Sequence, residues 1–148
     1  MRRFAWRLQR VLDIKEKEEQ KARAELFKLA EKLAETRGKL LIQQKVLRDI
    51  ISDLAEENPK ARLGRQEFFL KFSATSDKQI QKLKDRIRML ELQQKEKVAE
   101  VLKVRRFKKG LEKLRVEAKR QFIEEQEKLE QKELDEGATV AFVRKTLN

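Results

Sequence analysis

An all-α fold, a long two-helix antiparallel coiled-coil hairpin with a short helical connector, is predicted by three observations. Leu26, Leu33, Leu40, Leu47 and Leu54 recur every seven residues, the spacing of a helix that buries one stripe against another helix. A second heptad run of similar length follows Pro59, the one proline in the chain. Of the 148 residues, 43% are Asp, Glu, Lys or Arg and 39% are apolar, with four Gly and no Tyr. That is too charged for an ordinary globular core, too regularly apolar for a disordered polycation, and poor in turn and strand formers.

The first helix is expected over residues 2–57. A companion row of Leu29, Thr36, Gln43 and Ile50 lies three residues after the leucines and completes the seam. Traced backward, the two rows reach Leu12 and Leu8 but pass through Glu19 and Lys15, an interruption expected to weaken pairing locally. Phe4, Leu8, Val11 and Leu12 share one helical face. Trp6 falls off that face and is a candidate contact residue.

A break is expected at Asn58-Pro59, because proline disfavours helical geometry at the residue before it and lacks a backbone donor. The connector, 58–76 with its own short helix, carries Phe68, Phe69 and Phe72. Three aromatics there suit the closing of a hairpin end. Two adjacent phenylalanines do not face the same side of a helix, so one of them is an exposed candidate anchor for a partner.

The second helix is expected over 77–136, capped by Ser76 or Asp77. Its seam runs through Ile80, Leu83, Ile87, Leu90, Val101, Val104, Leu111, Leu114, Ala118, Phe122 and Leu129, with Gln94 and Lys97 interrupting. Gly38 and Gly110 sit inside the two helices and cost about 1 kcal/mol each relative to Ala. Gly137 is a plausible C-cap, leaving 137–148 as a flexible tail. Helices of roughly 55 and 60 residues, about 80–90 Å each, favour an intrachain hairpin over a parallel dimer, so residues 1–148 form a single coiled-coil domain.

The net charge of +12 is uneven. Residues 80–120 hold 15 basic and 6 acidic side chains, whereas 121–148 hold 4 and 7. The basic run includes Arg105, Arg106, Lys108, Lys109, Lys113, Arg115, Lys119 and Arg120. Neutralising phosphates would give such a run nucleic-acid affinity, but no nucleic-acid module and no set of stacking aromatics accompanies it, so no nucleic acid partner is expected. Docking on an acidic protein surface suits it better.

With no Cys and no His, thiolate and imidazole chemistry are excluded. The acidic residues Glu16, Glu18 and Glu19, and those between 124 and 136, lie on helices without any sign of a pocket. No catalytic residue, metal site or cofactor is expected, and the chain is not expected to be an enzyme. No apolar run approaches the roughly 20 residues of a membrane span, and the charged start is unlike a secretory leader, so a cytoplasmic location is expected.

Two segments carry a family resemblance. Residues 4–18, Phe-Ala-Trp-Arg-Leu-Gln-Arg-Val-Leu-Asp-Ile-Lys-Glu-Lys-Glu, resemble the amino-terminal pattern of the flagellar FliJ family: an aromatic, "RLQ-VLD" and a charged continuation. Residues 130–136, Glu-Gln-Lys-Glu-Leu-Asp-Glu, are similar to that family's "EQK-LDE" near its carboxyl end. The resemblance implies a fold like the central stalk of rotary ATPases and a role in the type III export apparatus of the flagellum. It implies that one end binds the hexameric export ATPase and promotes its assembly and hydrolysis, through Arg3, Trp6, Arg7, Arg10, Gln131, Lys132, Asp135 and Glu136. The other end is implied to reach the cytoplasmic domain of the membrane export gate protein, through Val46, Ile50, Phe68 and Phe72. Export chaperones are implied as further partners, with peripheral membrane association through the apparatus. The alternatives are a basic coiled-coil adaptor for nucleic acid or an anionic membrane, and the equivalent stalk of a virulence injectisome.

Overall fold

The computed structural model describes residues 2–56 and 59–147. Among the described residues there are two helices: α1, Gln9–Ala55, of 47 residues, and α2, Pro59–Leu147, of 89. The architecture is the all-α helical hairpin that the heptad rows predict. Contacts divide the chain into two compact units, one of Met1–Glu19 with Lys103–Asn148 and one of Gln20–Leu102.

In the Gln20–Leu102 unit, Ala22, Leu33 and Thr36 of α1 and Ser76, Leu90 and Val101 of α2 are buried. Leu26, Leu29, Leu40 and Leu47 are half-buried, as are Ile80, Leu83 and Ile87, so both predicted rows turn inward. Thr36 is a polar residue in an apolar stripe, and its hydroxyl donates to the Lys32 carbonyl at 2.7 Å. That bond removes the cost of burying it unpaired. Glu25 pairs with Lys97, and Arg37 with Glu91 at 3.0 Å; partners advance along α1 as they retreat along α2, which makes the packing antiparallel.

In the other unit the core is Leu12, Leu111 and Glu19, with Leu8, Val104, Ala118 and Phe122 half-buried. Gln9 faces Arg115 and Glu19 faces Lys108, again antiparallel.

Three boundaries differ from the sequence expectation. Residues 2–6 carry no regular structure and α1 starts at Gln9, not at residue 2. Arg2, Arg3, Arg7 and Arg10 crowd cations at the positive end of the helix dipole, and no acidic residue occupies the first turn to offset them. At the other end α1 stops at Ala55, and the Glu56 amide donates to the Asp53 carbonyl at 3.3 Å. The expected helix end at Glu57 and the expected break at Asn58 lie outside the described residues.

Pro59 opens α2, where the missing donor of a first-turn proline costs nothing. The expected connector is therefore, from Pro59 onward, the beginning of α2. Ser76 is buried in mid-helix and does not cap it, while Asp77 is exposed. Finally, the helix passes Gly137 and continues to Leu147. Gly137 has no positive φ to form a C-cap, Thr139 and Thr146 return their hydroxyls to Asp135 and Phe142 carbonyls, and Arg144 and Lys145 complement the negative end of the dipole.

Candidate functional site

The residues singled out from the sequence are divided between the two units. In the unit containing the chain termini, the segment before α1 folds back on α2. The Gln9 amide donates to the Trp6 carbonyl at 3.1 Å and the Leu12 amide to the Leu8 carbonyl at 3.0 Å, which fixes the turn leading into the helix. Phe4 precedes that turn and so is not on the helical face that its spacing suggests. Its ring nevertheless packs on Phe122, with centroids 5.5 Å apart and planes tilted by 55°. The Arg115 guanidinium lies 5.7 Å from the same ring and donates through Nε to Gln9 Oε1 at 2.8 Å. Trp6 is half-buried, while Arg3, Arg7 and Arg10 are exposed.

On α2, Gln131, Lys132, Asp135 and Glu136 are all exposed. Gln131, Lys132 and Asp135 line a shallow polar furrow with Glu124, Glu127 and Lys128; Glu136 lies outside it. Among the described residues, no hydrogen bond or ion pair joins these four to Arg3, Trp6, Arg7 or Arg10. They belong to a stretch, 127–147, in which every residue is exposed, so among the described residues no helix covers this part of α2.

A further surface lies in the Gln20–Leu102 unit. Ile50, Asp53 and Leu54 of α1 and Gly64, Arg65, Phe68 and Phe69 of α2 form a groove of about 310 Å³. The adjacent phenylalanines split as geometry requires: Phe68 is 68% exposed and Phe69 is half-buried. Phe72 stacks on Phe68 one turn on, with centroids 6.3 Å apart and planes 16° from parallel. The structure thus gathers Ile50, Phe68 and Phe72 at one place. Val46, exposed, does not line the groove.

The basic run is not a uniform solvated face. Arg105 and Lys108 turn into the seam and both meet Glu19, at 3.2 Å to Oε1 and 3.1 Å to Oε2. Glu19 is only 6% exposed, and the hydrogen bonds from Lys108 and then Arg105 hold its carboxyl below the ordinary glutamate range. Glu19 in turn raises the Lys108 ammonium. Lys97 bonds Glu100 and Glu25, in that order of effect, and is likewise raised. Arg120 is held between Glu117 and Glu124, while Arg106, Lys109, Lys113 and Lys119 stay exposed.

The expected weakening at Glu19 is therefore corrected, since the interruption in one helix is matched by cations in the other. The missed signal was spacing: Lys97, Val101, Val104, Lys108, Leu111 and Arg115 follow one another at intervals of three and four, as seam residues do. Leu114, placed in the seam from its chemistry, is 56% exposed while Arg115 is half-buried. Leu129, expected in the same seam, is 52% exposed because nothing packs there.

Among the described residues, no three carboxylates converge in a way that would hold a metal ion, and no helix is long and apolar enough to cross a membrane. These features define an all-α protein whose two helices pack antiparallel within each unit and carry many exposed side chains. The model of the family described as the flagellar FliJ protein matches residues 4–147, and the chain belongs to that family, a non-enzymatic component of the flagellar protein export apparatus. No curated protein and no solved structure matches the chain.

Proposed function

We propose that this chain is a stalk and coupling component of the flagellar type III export apparatus. It binds the hexameric export ATPase and promotes assembly and hydrolysis of its ring, links the ATPase to the cytoplasmic domain of the membrane export gate protein, and handles export chaperones. It works in the cytoplasm, peripheral to the inner face of the membrane at the flagellar base.

The observation that carries this reading is the bare stretch 127–147 of α2, exposed at every residue, in a chain that belongs to the FliJ family over nearly its whole length. A helix that none of the described residues covers is suited to enter another assembly. The groove around Phe68, in the other unit, supplies a separate apolar anchor for the gate.

The test is the hydrolysis rate of the cognate export ATPase with and without this protein, at physiological salt, alongside a variant lacking residues 1–12. Stimulation that the truncation abolishes supports the reading. No effect of either protein on hydrolysis or ring assembly sinks it.

A further inference from the structure

The face of α2 that meets α1 does not stop where α1 does. After Phe122 and Gln126, both half-buried, the residues Leu129, Glu133, Glu136, Val140, Val143 and Leu147 follow at intervals of four and three, the same heptad spacing as the seam. Four of them are large apolar side chains left 46–81% exposed. The stripe is therefore a continuation of an existing helix interface, apolar at both ends and doubly acidic in the middle.

A second copy is a poor occupant. Pairing two such faces in parallel brings the glutamates of both copies into the same layers, where like charges repel, and pairing them antiparallel over the whole stripe sets Glu133 opposite Val143 and Glu136 opposite Val140, burying each carboxylate against an apolar side chain with no cation to meet it. The chain itself displays what a glutamate in this kind of seam takes, because Glu19 is met by Lys108 and Arg105 from the facing helix at 3.1 and 3.2 Å.

We propose that the stripe from Leu129 to Leu147 docks a helix of a partner protein that carries lysine or arginine at two neighbouring seam positions, flanked by apolar layers. This deepens the function proposed above, on which the assignment of that helix to the export ATPase rests. The docking residues differ in part from those implied by the family pattern. Glu136 lies on the stripe, whereas Gln131 and Asp135 lie on the opposite side of the helix.

The test uses the full chain and two synthetic amphipathic helical peptides of about 21 residues, three heptads long. One has leucines at its seam and lysines at the two positions that meet Glu133 and Glu136; its twin has glutamates at those two. Binding is read by fluorescence anisotropy near 0.15 M salt, where long-range attraction is screened beyond about 8 Å. The lysine peptide binds at least about tenfold tighter than its twin, E133K/E136K inverts that preference, and Q131A/D135A leaves it unchanged. All these positions are exposed, so circular dichroism of the variants shows the hairpin intact.

Equal binding of the two peptides overturns the proposal, as does loss of binding in Q131A/D135A with none in E133K/E136K. The same variants are then mixed with the cognate export ATPase. If E133K/E136K inverts the peptide preference and weakens ATPase binding, the face and its assignment both stand. If it inverts the peptide preference yet binds the ATPase undiminished, the face stands and the assignment to the ATPase falls.

Discussion

Lys108 donates to Glu19 across the helix pair at 3.1 Å, so that a lysine on one strand of the seam answers a nearly buried glutamate on the other. Such a pair sets register more than it adds stability. A slip of one heptad would face Lys108 with Leu12 in one direction and Leu26 in the other, burying a cation against leucine. Lys108→Glu is expected to lower the thermal midpoint by several degrees. Glu19→Lys combined with Lys108→Glu is expected to recover most, but not all, of that loss, because Arg105 remains beside the new lysine. Thermal melts of the two single variants and the double variant check this; strictly additive losses would refute the pairing.

The same pair makes stability depend on pH at both extremes. The Glu19 carboxyl is lowered in the folded chain by Lys108 and Arg105. Its contribution is therefore complete above the ordinary glutamate value of about 4.3 and is lost as pH falls through the lower folded value. The Lys108 ammonium is raised by Glu19, so its contribution is complete below the ordinary lysine value of about 10.4 and is lost as pH climbs through the higher folded value. Glu19→Gln is expected to flatten the acid limb of a plot of midpoint against pH. An unchanged acid limb in that variant would remove Glu19 from the account.

Gly38 and Gly110 lie in helix interiors, and a Cβ added at either meets nothing within 4 Å. Neither has the positive φ that would penalise a side chain. Gly38→Ala and Gly110→Ala should each stabilise the hairpin by about 1 kcal/mol, measured by urea unfolding. Destabilisation by either would mean that the glycine serves a bend absent from this structure.

Leu33 is 3% exposed in the middle of the seam. Leu33→Ala is expected to cost about 2–3 kcal/mol, the low end of the buried-leucine range because a two-helix core collapses readily around a void. Phe27, at 65% exposed, serves as the control, with Phe27→Ala staying within about 0.5 kcal/mol.

Phe68→Ala with Phe72→Ala removes the stacked pair beside the groove. If these rings anchor the export gate protein, the double variant loses gate binding and motility while keeping the helical circular dichroism of the parent, its melt lowered only by the packing that half-buried Phe72 gives up. Intact gate binding and motility would rule the rings out as its anchor.

The rows of leucine made the fold legible because each buried stripe repeats within a single helix and needs no knowledge of the other. Spacing alone puts Thr36, Gln43 and Gln94 in the seam, where Thr36 is buried and the two glutamines are half-buried. Glu19, Lys108 and Arg115 look out of place in a seam when each charge is weighed by its own chemistry, yet all three turn inward. Whether a seam charge weakens or specifies a pairing depends on what faces it, and that requires the register. The spacing of Phe4 suggests a helical face that it does not occupy, yet it reaches Phe122 from the segment ahead of the turn. The termini of α2 were the least legible, because Gly137 and the stretch before Ser76 look like punctuation locally while the hydrogen-bond ladder runs through both.

The bare stretch of α2 also has a thermodynamic side. A helix covered along one face is protected against amide hydrogen exchange by the opening energy of the whole pair, but residues 127–147 have only their own ladder and a few side-chain bonds, without the packing that supplies most helical stability in proteins. Their amides should exchange far faster than those of 80–122, and a bound partner should slow them. Helix formation and docking then become one coupled equilibrium. The apparent affinity is the intrinsic one reduced by the fraction of molecules already helical there, and a substitution that only raises helicity in this stretch would tighten binding without touching the partner.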